Sequence, residues 1–185
     1  MPRIKPLNPT DLTGKTKTLL DGVQKKTGTI PNVFRTLAHS PAVLQAYLSF
    51  GQALDGGSLS PQVREQIALT VSNANGCEYC ASAHTAIGKN LGVDTIELTE
   101  NLQGFSSDPK VEVALQFARN IIAKRGWVND TEIAHVRDAG YTDEEIVEIV
   151  GTIANTMFTN YFNHIADTKL DFPKVEIGQP VATMT

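Results

Sequence analysis

Cysteine is nearly absent from this chain: two in 185 residues, Cys77 and Cys80, too few for a disulfide framework. Aromatic residues make up only 6 %, with a single tryptophan. No run approaches the ~18 consecutive apolar residues of a membrane span, so no membrane partner is expected. Neither charge dominates. Sixteen Lys+Arg against twenty Asp+Glu leave a net charge of −4, which argues against a dedicated nucleic-acid binder. The first forty residues are mildly basic, as a solvated face would be. The opening MPRIKPLNPTDL lacks the apolar core of a signal peptide, and the expected location is cytoplasmic. With 41 % hydrophobic residues, a chain of this length forms one domain. It buries about 70 % of its unfolded surface, so neither metal nor disulfide is needed for stability.

What the sequence does contain is helical punctuation, with few strand patterns. Leu19, Leu20 and Val23 lie in a segment from Lys15 to Lys26 that stops at Gly28. A short helix with Val33, Phe34 and Leu37 follows Ile30-Pro31-Asn32. Ser40-Pro41 and Ser60-Pro61 each read as N-cap plus first-turn proline, opening helices that end at Gly56-Gly57 and near Ala74. Asn75-Gly76 breaks the chain before a helix that begins near Cys77 and fades at Gly92. Asp94/Glu97, Asn129/Glu132 and Thr142/Glu145 have capping-box spacing. Asp108-Pro109 opens another helix, and the last runs from about Asp143 to Asp167. The expected fold is all-α, a single bundle of about eight helices. Residues 1–27 form an N-terminal helical extension, 28–168 the core, and 169–185 an irregular tail, either a strap or partly disordered.

Cys77 and Cys80 form a lone C-x-x-C. A disulfide closing so short a loop stabilises little on the chain-entropy model, which leaves redox chemistry or metal binding. At about 100° per residue, Cys77, Cys80 and His84 fall within an arc of about 60° on one helix face. Cys77 lies at the helix amino end, where free N–H groups and the macrodipole favour a thiolate. Cys80 and His84 are one turn apart, in reach directly or through one water. The Asn75-Gly76 break allows the helix carrying Glu65 to fold back, so that its carboxylate could orient His84; a surface Glu65 is the alternative. A zinc ion could draw on Cys77, Cys80, His84 and one of His39, His135 or His164. However, Cys77 and His84 lie about 10 Å apart along a continuous helix, and a shared ion needs distortion. A thioredoxin fold is disfavoured because no βαβ pattern flanks the cysteines.

The run from Glu65 through twelve residues to Cys77-Glu78-Tyr79-Cys80, then three residues and His84, resembles the active-site signature of the alkyl hydroperoxidase D group. That group belongs to the carboxymuconolactone decarboxylase superfamily. Ile30-Pro-Asn-Val-Phe and His39-Ser-Pro resemble the approach segment of its peroxidase-related members, and the likeness covers residues 28 to 165. The resemblance implies an all-helical fold assembled into trimers or hexamers, and peroxide reduction by a cysteine pair. Cys80 would be the peroxidatic thiol, activated through His84, with Glu65 polarising the histidine. Its sulfenic acid would condense with Cys77 to a disulfide. No tightly bound cofactor is implied; an external dithiol, a lipoylated protein in the best-known member, would restore the pair. Helix-dipole reasoning alone nominates Cys77 as nucleophile, whereas the resemblance nominates Cys80. Tyr79 belongs to the signature but points off the cysteine face, so packing or an interface role competes with a catalytic one. Asn155, Phe158, Tyr161, Phe162, Asn163 and His164 on the last helix line either a pocket or ordinary core. A decarboxylase of a muconolactone-like acid and a non-catalytic redox sensor are the rival functions. The first has no use for a cysteine pair.

Overall fold

The computed structural model describes residues 1–178. A 3-10 turn, Pro9–Asp11, precedes nine α-helices: α1 (Gly14–Thr27), α2 (Asn32–Leu37), α3 (Pro41–Asp55), α4 (Pro61–Ala74), α5 (Glu78–Asn90), α6 (Thr95–Leu102), α7 (Pro109–Ala123), α8 (Asp130–Asp138) and α9 (Asp143–Ala166). Nine helices among the described residues fit the expected all-α bundle of about eight, and no strand occurs among them.

Local chemistry accounts for most boundaries. Ser40 and Ser60 accept hydrogen bonds from Val43 N and Val63 N, with proline in each first turn. Asn129/Glu132 and Thr142/Glu145 close two reciprocal capping boxes. The third expected box does not form. Asp94 caps α6 through Ile96 N, but Glu97 turns away from Asp94. Glu97 instead accepts hydrogen bonds from Gln66, Asn101, Ser106 and Ser107, fastening the α6–α7 loop to α4. Burial alone would raise its pKa, yet the hydrogen bonds from Ser106, Ser107 and Asn101 hold the carboxyl at about 2.

Helix α4 is the axis of the bundle and packs against α5, α6, α7 and α9. Every residue from Gln66 to Ala74 is buried. Such a helix should be apolar all round, yet it carries Gln66, Thr70, Ser72 and Asn73. Each polar group needs a partner in so dry a setting. Thr70 donates to Asn101 O, and Asn73 Oδ1 accepts from Gly178 N. One apolar cluster joins α4, α7, α8 and α9 around Leu115 and Ile149. A second gathers Leu20, Val33, Leu37 and Leu44 around Cys77, Tyr79 and Cys80.

The tail from Lys169 to Gly178 lies against the bundle as a strap. Asp171 accepts from Asn32 N at 2.6 Å and from the Tyr79 hydroxyl at 2.7 Å. Val175 N donates to Ser82 Oγ, and Val175 and Ile177 pack over Leu69, Ala81 and Leu98. The expected tail also includes residues 179–185, which lie outside the described residues.

Candidate active site

The site is built on the α4–α5 hairpin. Gly76 takes a left-handed φ of 71°, which a side chain would resist, and Cys77 N returns to Ser72 O at 2.8 Å. Asn75 Nδ2 donates to Asn160 Oδ1 of α9, pinning the turn. Antiparallel pairing across this turn brings the second turn of α4 beside the middle of α5. Glu65 Oε2 and His84 Nδ1 meet at 2.7 Å, with side chains 19 % and 18 % exposed. Glu65 is therefore no free surface residue. A carboxylate at Nδ1 orients the ring and favours a proton on that nitrogen.

Cys77 lies at the amino end of α5, as expected, one residue before the first helical position. It is the N-cap of α5, with extended backbone at φ −91° and ψ 90°. Its sulfur accepts from Cys80 N at 3.3 Å, taking the role an N-cap serine oxygen would take. Cys77 and Cys80 are joined in a disulfide, with their Cα atoms 5.4 Å apart, and both are almost fully buried. No group of three or more potential metal ligands gathers among the described residues. His39 Nε2 contacts Lys5 O, and His164 contacts Gly76 O.

Among the described residues, the hydrogen bond to Cys80 Sγ comes from Asn163 Nδ2 of α9, at 3.2 Å, rather than from His84. Asn163 is 6 % exposed, and its Oδ1 has no partner among the described residues. Sequence reasoning grouped Asn163 with pocket candidates without linking it to Cys80. The available signal was the inward stripe of α9, Thr152, Thr156, Thr159, Asn160 and Asn163, buried and polar where a helix normally presents leucine.

Tyr79 turns off the cysteine face, as its helical position required. Its hydroxyl accepts from Val33 N at 3.2 Å and donates to Asp171, while its ring meets Phe172 edge-on. Burial and then the Asp171 contact push its pKa far above the ordinary phenol range. Tyr47 of α3 is a second tyrosine near the site, one the sequence reading passed over. Burial first, then the Glu65 charge, raise it to about 12, and its hydroxyl lies beside Thr159 and Asn155. Its ring continues an aromatic row through Phe158 to Phe162. A cavity of about 830 Å³ opens beside the pair, lined by Cys77, Tyr79, Asn163, His164, Thr168 and Leu170 among others.

A buried cysteine pair at a helix start, with a carboxylate-oriented histidine one turn beyond, defines a helical dithiol–disulfide site. Residues 41–120 match the profile of the Carboxymuconolactone decarboxylase family. An uncharacterized peroxidase-related protein from Ralstonia eutropha JMP134, described as an alkylhydroperoxidase AhpD core, has a similar structure. It shares 27 % identity at a TM-score of 0.84, over 92 % of each chain. A peroxidase-related protein from Silicibacter sp. TM1040 shares 25 % identity at 0.80, over 90 % of this chain and 92 % of that one. The debrominase Bmp8 in complex with 2,3,4-tribromopyrrole has the same fold, with 21 % identity, a TM-score of 0.79 and 91 % of each chain covered. No curated protein sequence matches this chain. In fold, and over residues 41–120 in sequence, the chain is thus similar to alkyl hydroperoxidase D-like, peroxidase-related proteins and to the Carboxymuconolactone decarboxylase family.

Proposed function

We propose that this protein is a thiol-dependent hydroperoxide reductase serving antioxidant defence. The observation that carries this reading is the 2.7 Å Glu65–His84 contact one helical turn beyond the second cysteine of a closed C-x-x-C pair. Such an arrangement supplies a base where a thiol must lose its proton and an acid where an alkoxide must gain one. In the reduced protein, His84 Nε2 takes the Cys80 proton, directly or through one water, and Glu65 stabilises the imidazolium. The Cys80 thiolate, receiving the Asn163 N–H, attacks the terminal peroxide oxygen. The O–O bond breaks, Cys80 becomes a sulfenic acid, and the alkoxide leaves as an alcohol with the proton from His84. Cys77 then attacks the sulfenic sulfur, water departs and the disulfide closes. An external dithiol, lipoyl-type or carried on a lipoylated protein, returns two electrons and two protons.

The Bmp8 relationship supports the fold alone. Carboxymuconolactone decarboxylation would need a carboxylate-binding group and an enolate stabiliser and would leave a cysteine pair without a task. Tyr79 acts in this reading by holding the cysteine turn, since its hydroxyl is committed to Asp171. The protein self-associates, in a trimer or hexamer, through exposed apolar residues Val43 and Phe50 of α3 and Val150, Phe158, Tyr161 and Ile165 of α9. On α9, Val147 and Val150, and then Phe158, Tyr161 and Ile165, stand three or four residues apart, a stripe that a second copy would cover. Light scattering that returns a monomer would remove that part of the proposal.

A thiol count before and after stoichiometric hydroperoxide tests the activity. Loss of both thiols per chain, with one peroxide consumed, is expected. Retention of both at micromolar peroxide overturns the peroxidase reading and leaves a redox sensor or another chemistry.

A further inference from the structure

The turn between α4 and α5 leaves the two cysteines unequally held. Cys80 lies inside α5, so the helix itself fixes its backbone. Cys77 is the N-cap, and its place beside Cys80 depends on the turn that runs from Ser72 to Gly76. Three residues of α9, Asn160, Asn163 and His164, stand three and four apart on one face and meet this region together. Asn160 Oδ1 accepts from Asn75 Nδ2 at 2.8 Å, and Asn160 Nδ2 donates to Ser72 Oγ at 3.4 Å. The Ser72 carbonyl in turn accepts from Cys77 N at 2.8 Å. His164 Nε2 contacts Gly76 O at 3.3 Å, and Asn163 donates to Cys80 Sγ. Asn160 is 0 % exposed, a depth at which an apolar side chain is the ordinary occupant. Both ends of its amide are in use. They tie the last turn of α4 to the residue before Gly76.

We propose that Asn160 is a positioning residue for the redox pair: through Asn75 and Ser72 it holds Cys77 within bonding reach of Cys80 while the two are reduced. Its hydrogen bonds go to the turn and not to a sulfur. The step it serves is closure. Cys77 Sγ attacks the sulfur of the Cys80 sulfenic acid, the S–S bond forms, the S–O bond breaks, and the oxygen leaves as water with the Cys77 proton. Closure within one chain depends on how much of the time the two sulfurs lie side by side, and a misplacement of about 1 Å costs up to about 10²-fold. The two Cα atoms stand 5.4 Å apart, inside the range of about 4.4–6.8 Å that a disulfide allows. Cys80 stays with α5, so any play in the turn falls on Cys77 alone and changes that separation. Asn160 thus steadies the pair that Asn163, one helical turn further along α9, serves directly. The proposal rests on the hydroperoxide-reductase reading only for the sulfenic acid; the equilibrium between dithiol and disulfide does not depend on it.

The test is the dithiol–disulfide equilibrium of the full chain in glutathione buffers of fixed composition, read by maleimide labelling and mass spectrometry. Asn160→Ala should lower the equilibrium constant for closing the pair by about tenfold, because the reduced turn gains freedom. Asn101→Ala is the control. Asn101 is also 0 % exposed and donates to Glu97 and to Phe105 O, but it belongs to α6. That variant should lose stability in urea and leave the equilibrium where it is. An unmoved equilibrium in Asn160→Ala, or an equal shift in both variants, overturns the proposal. Should Asn160→Ala fail to fold, Asn75→Ala removes the donor from a half-buried turn position and should shift the equilibrium in the same direction. No shift there overturns the proposal too. A second measurement follows the reduced protein after one equivalent of hydroperoxide. In Asn160→Ala, closure should slow about tenfold relative to the oxidation of Cys80, so dimedone captures more sulfenic acid than in wild type. Capture at the wild-type level counts against the proposal. The two readings fail separately. A protein inert to hydroperoxide whose equilibrium still shifts in Asn160→Ala loses the proposed function but keeps the positioning role. Normal peroxide consumption with an unshifted equilibrium does the reverse.

Discussion

Replacing Glu65 by glutamine keeps the shape of the side chain and a hydrogen bond to His84 but removes the charge. The contact is 2.7 Å long and both side chains are less than one-fifth exposed, so solvent screens it weakly. A hydrogen bond to an ionised partner contributes about 1.5–3 kcal/mol, roughly twice a neutral one. In the proposed step the imidazole takes the Cys80 proton beside the carboxylate, and the added attraction between the two charges is what glutamine loses. We expect about 2 kcal/mol on the oxidation barrier, a fall of about 30-fold in the rate of peroxide consumption by the reduced protein. Removing the base itself, in His84→Ala, should cost about 10²- to 10⁴-fold. The double variant should be no slower than His84→Ala, because Glu65 acts only through the imidazole. The assay is peroxide loss or thiol titration. The only tryptophan, Trp127, is 87 % exposed, so its fluorescence is a poor reporter of the buried pair. A Glu65→Gln protein within about threefold of wild type, or a double variant whose loss is the product of the single losses, would refute the relay.

Asn163→Ala removes the donor to Cys80 Sγ and should slow peroxide consumption by about tenfold, one charge-assisted hydrogen bond's worth; an unchanged rate would show that the thiolate draws its stabilisation elsewhere. Tyr79→Phe deletes the hydroxyl between Val33 N and Asp171 and should lower unfolding stability by about 1–3 kcal/mol in urea titration. It should also speed proteolysis of the tail, whereas a tail as resistant as wild type's would mean that Asp171 holds the strap through Asn32 alone. Glu97 gives a pH test. Its folded pKa of about 2 lies below the ordinary 4.5, so the stability it contributes is present above 4.5 and is lost as pH falls towards 2. Glu97→Gln should therefore lower stability at pH 7 but show a smaller drop than wild type between pH 5 and pH 2.5; parallel pH curves would contradict the assignment.

Helix ends written in short-range chemistry were legible in the sequence. Ser-Pro starts, glycine stops and two capping boxes depend on residues three or four apart, and each appears as expected. The same rule misread Asp94/Glu97, because Glu97 had better partners in the Ser106-Ser107 loop and on α4, beyond the reach of local spacing. Glu65, Cys77, Cys80 and His84 were legible as a group because all four sit on one hairpin. The environment of Cys80 was not. Asn163 lies 83 residues away and reaches the sulfur only through the packing of α9 against α5. Tyr47 likewise comes from α3, and its polar neighbours Asn155 and Thr159 come from α9. The strap was half legible: its composition marked it as irregular, but nothing local pointed Asp171 at Tyr79.

In the proposed mechanism Cys80 is the thiol that meets peroxide and Cys77 the one that closes the bond. The direct measurement is sulfenic acid trapping with dimedone in the two single-serine variants after one equivalent of hydroperoxide. Cys77→Ser should carry a dimedone adduct on Cys80, formed as fast as peroxide is consumed, and Cys80→Ser should show neither adduct nor consumption. An adduct on Cys77 in the Cys80→Ser protein, with Cys77→Ser inert, would contradict it.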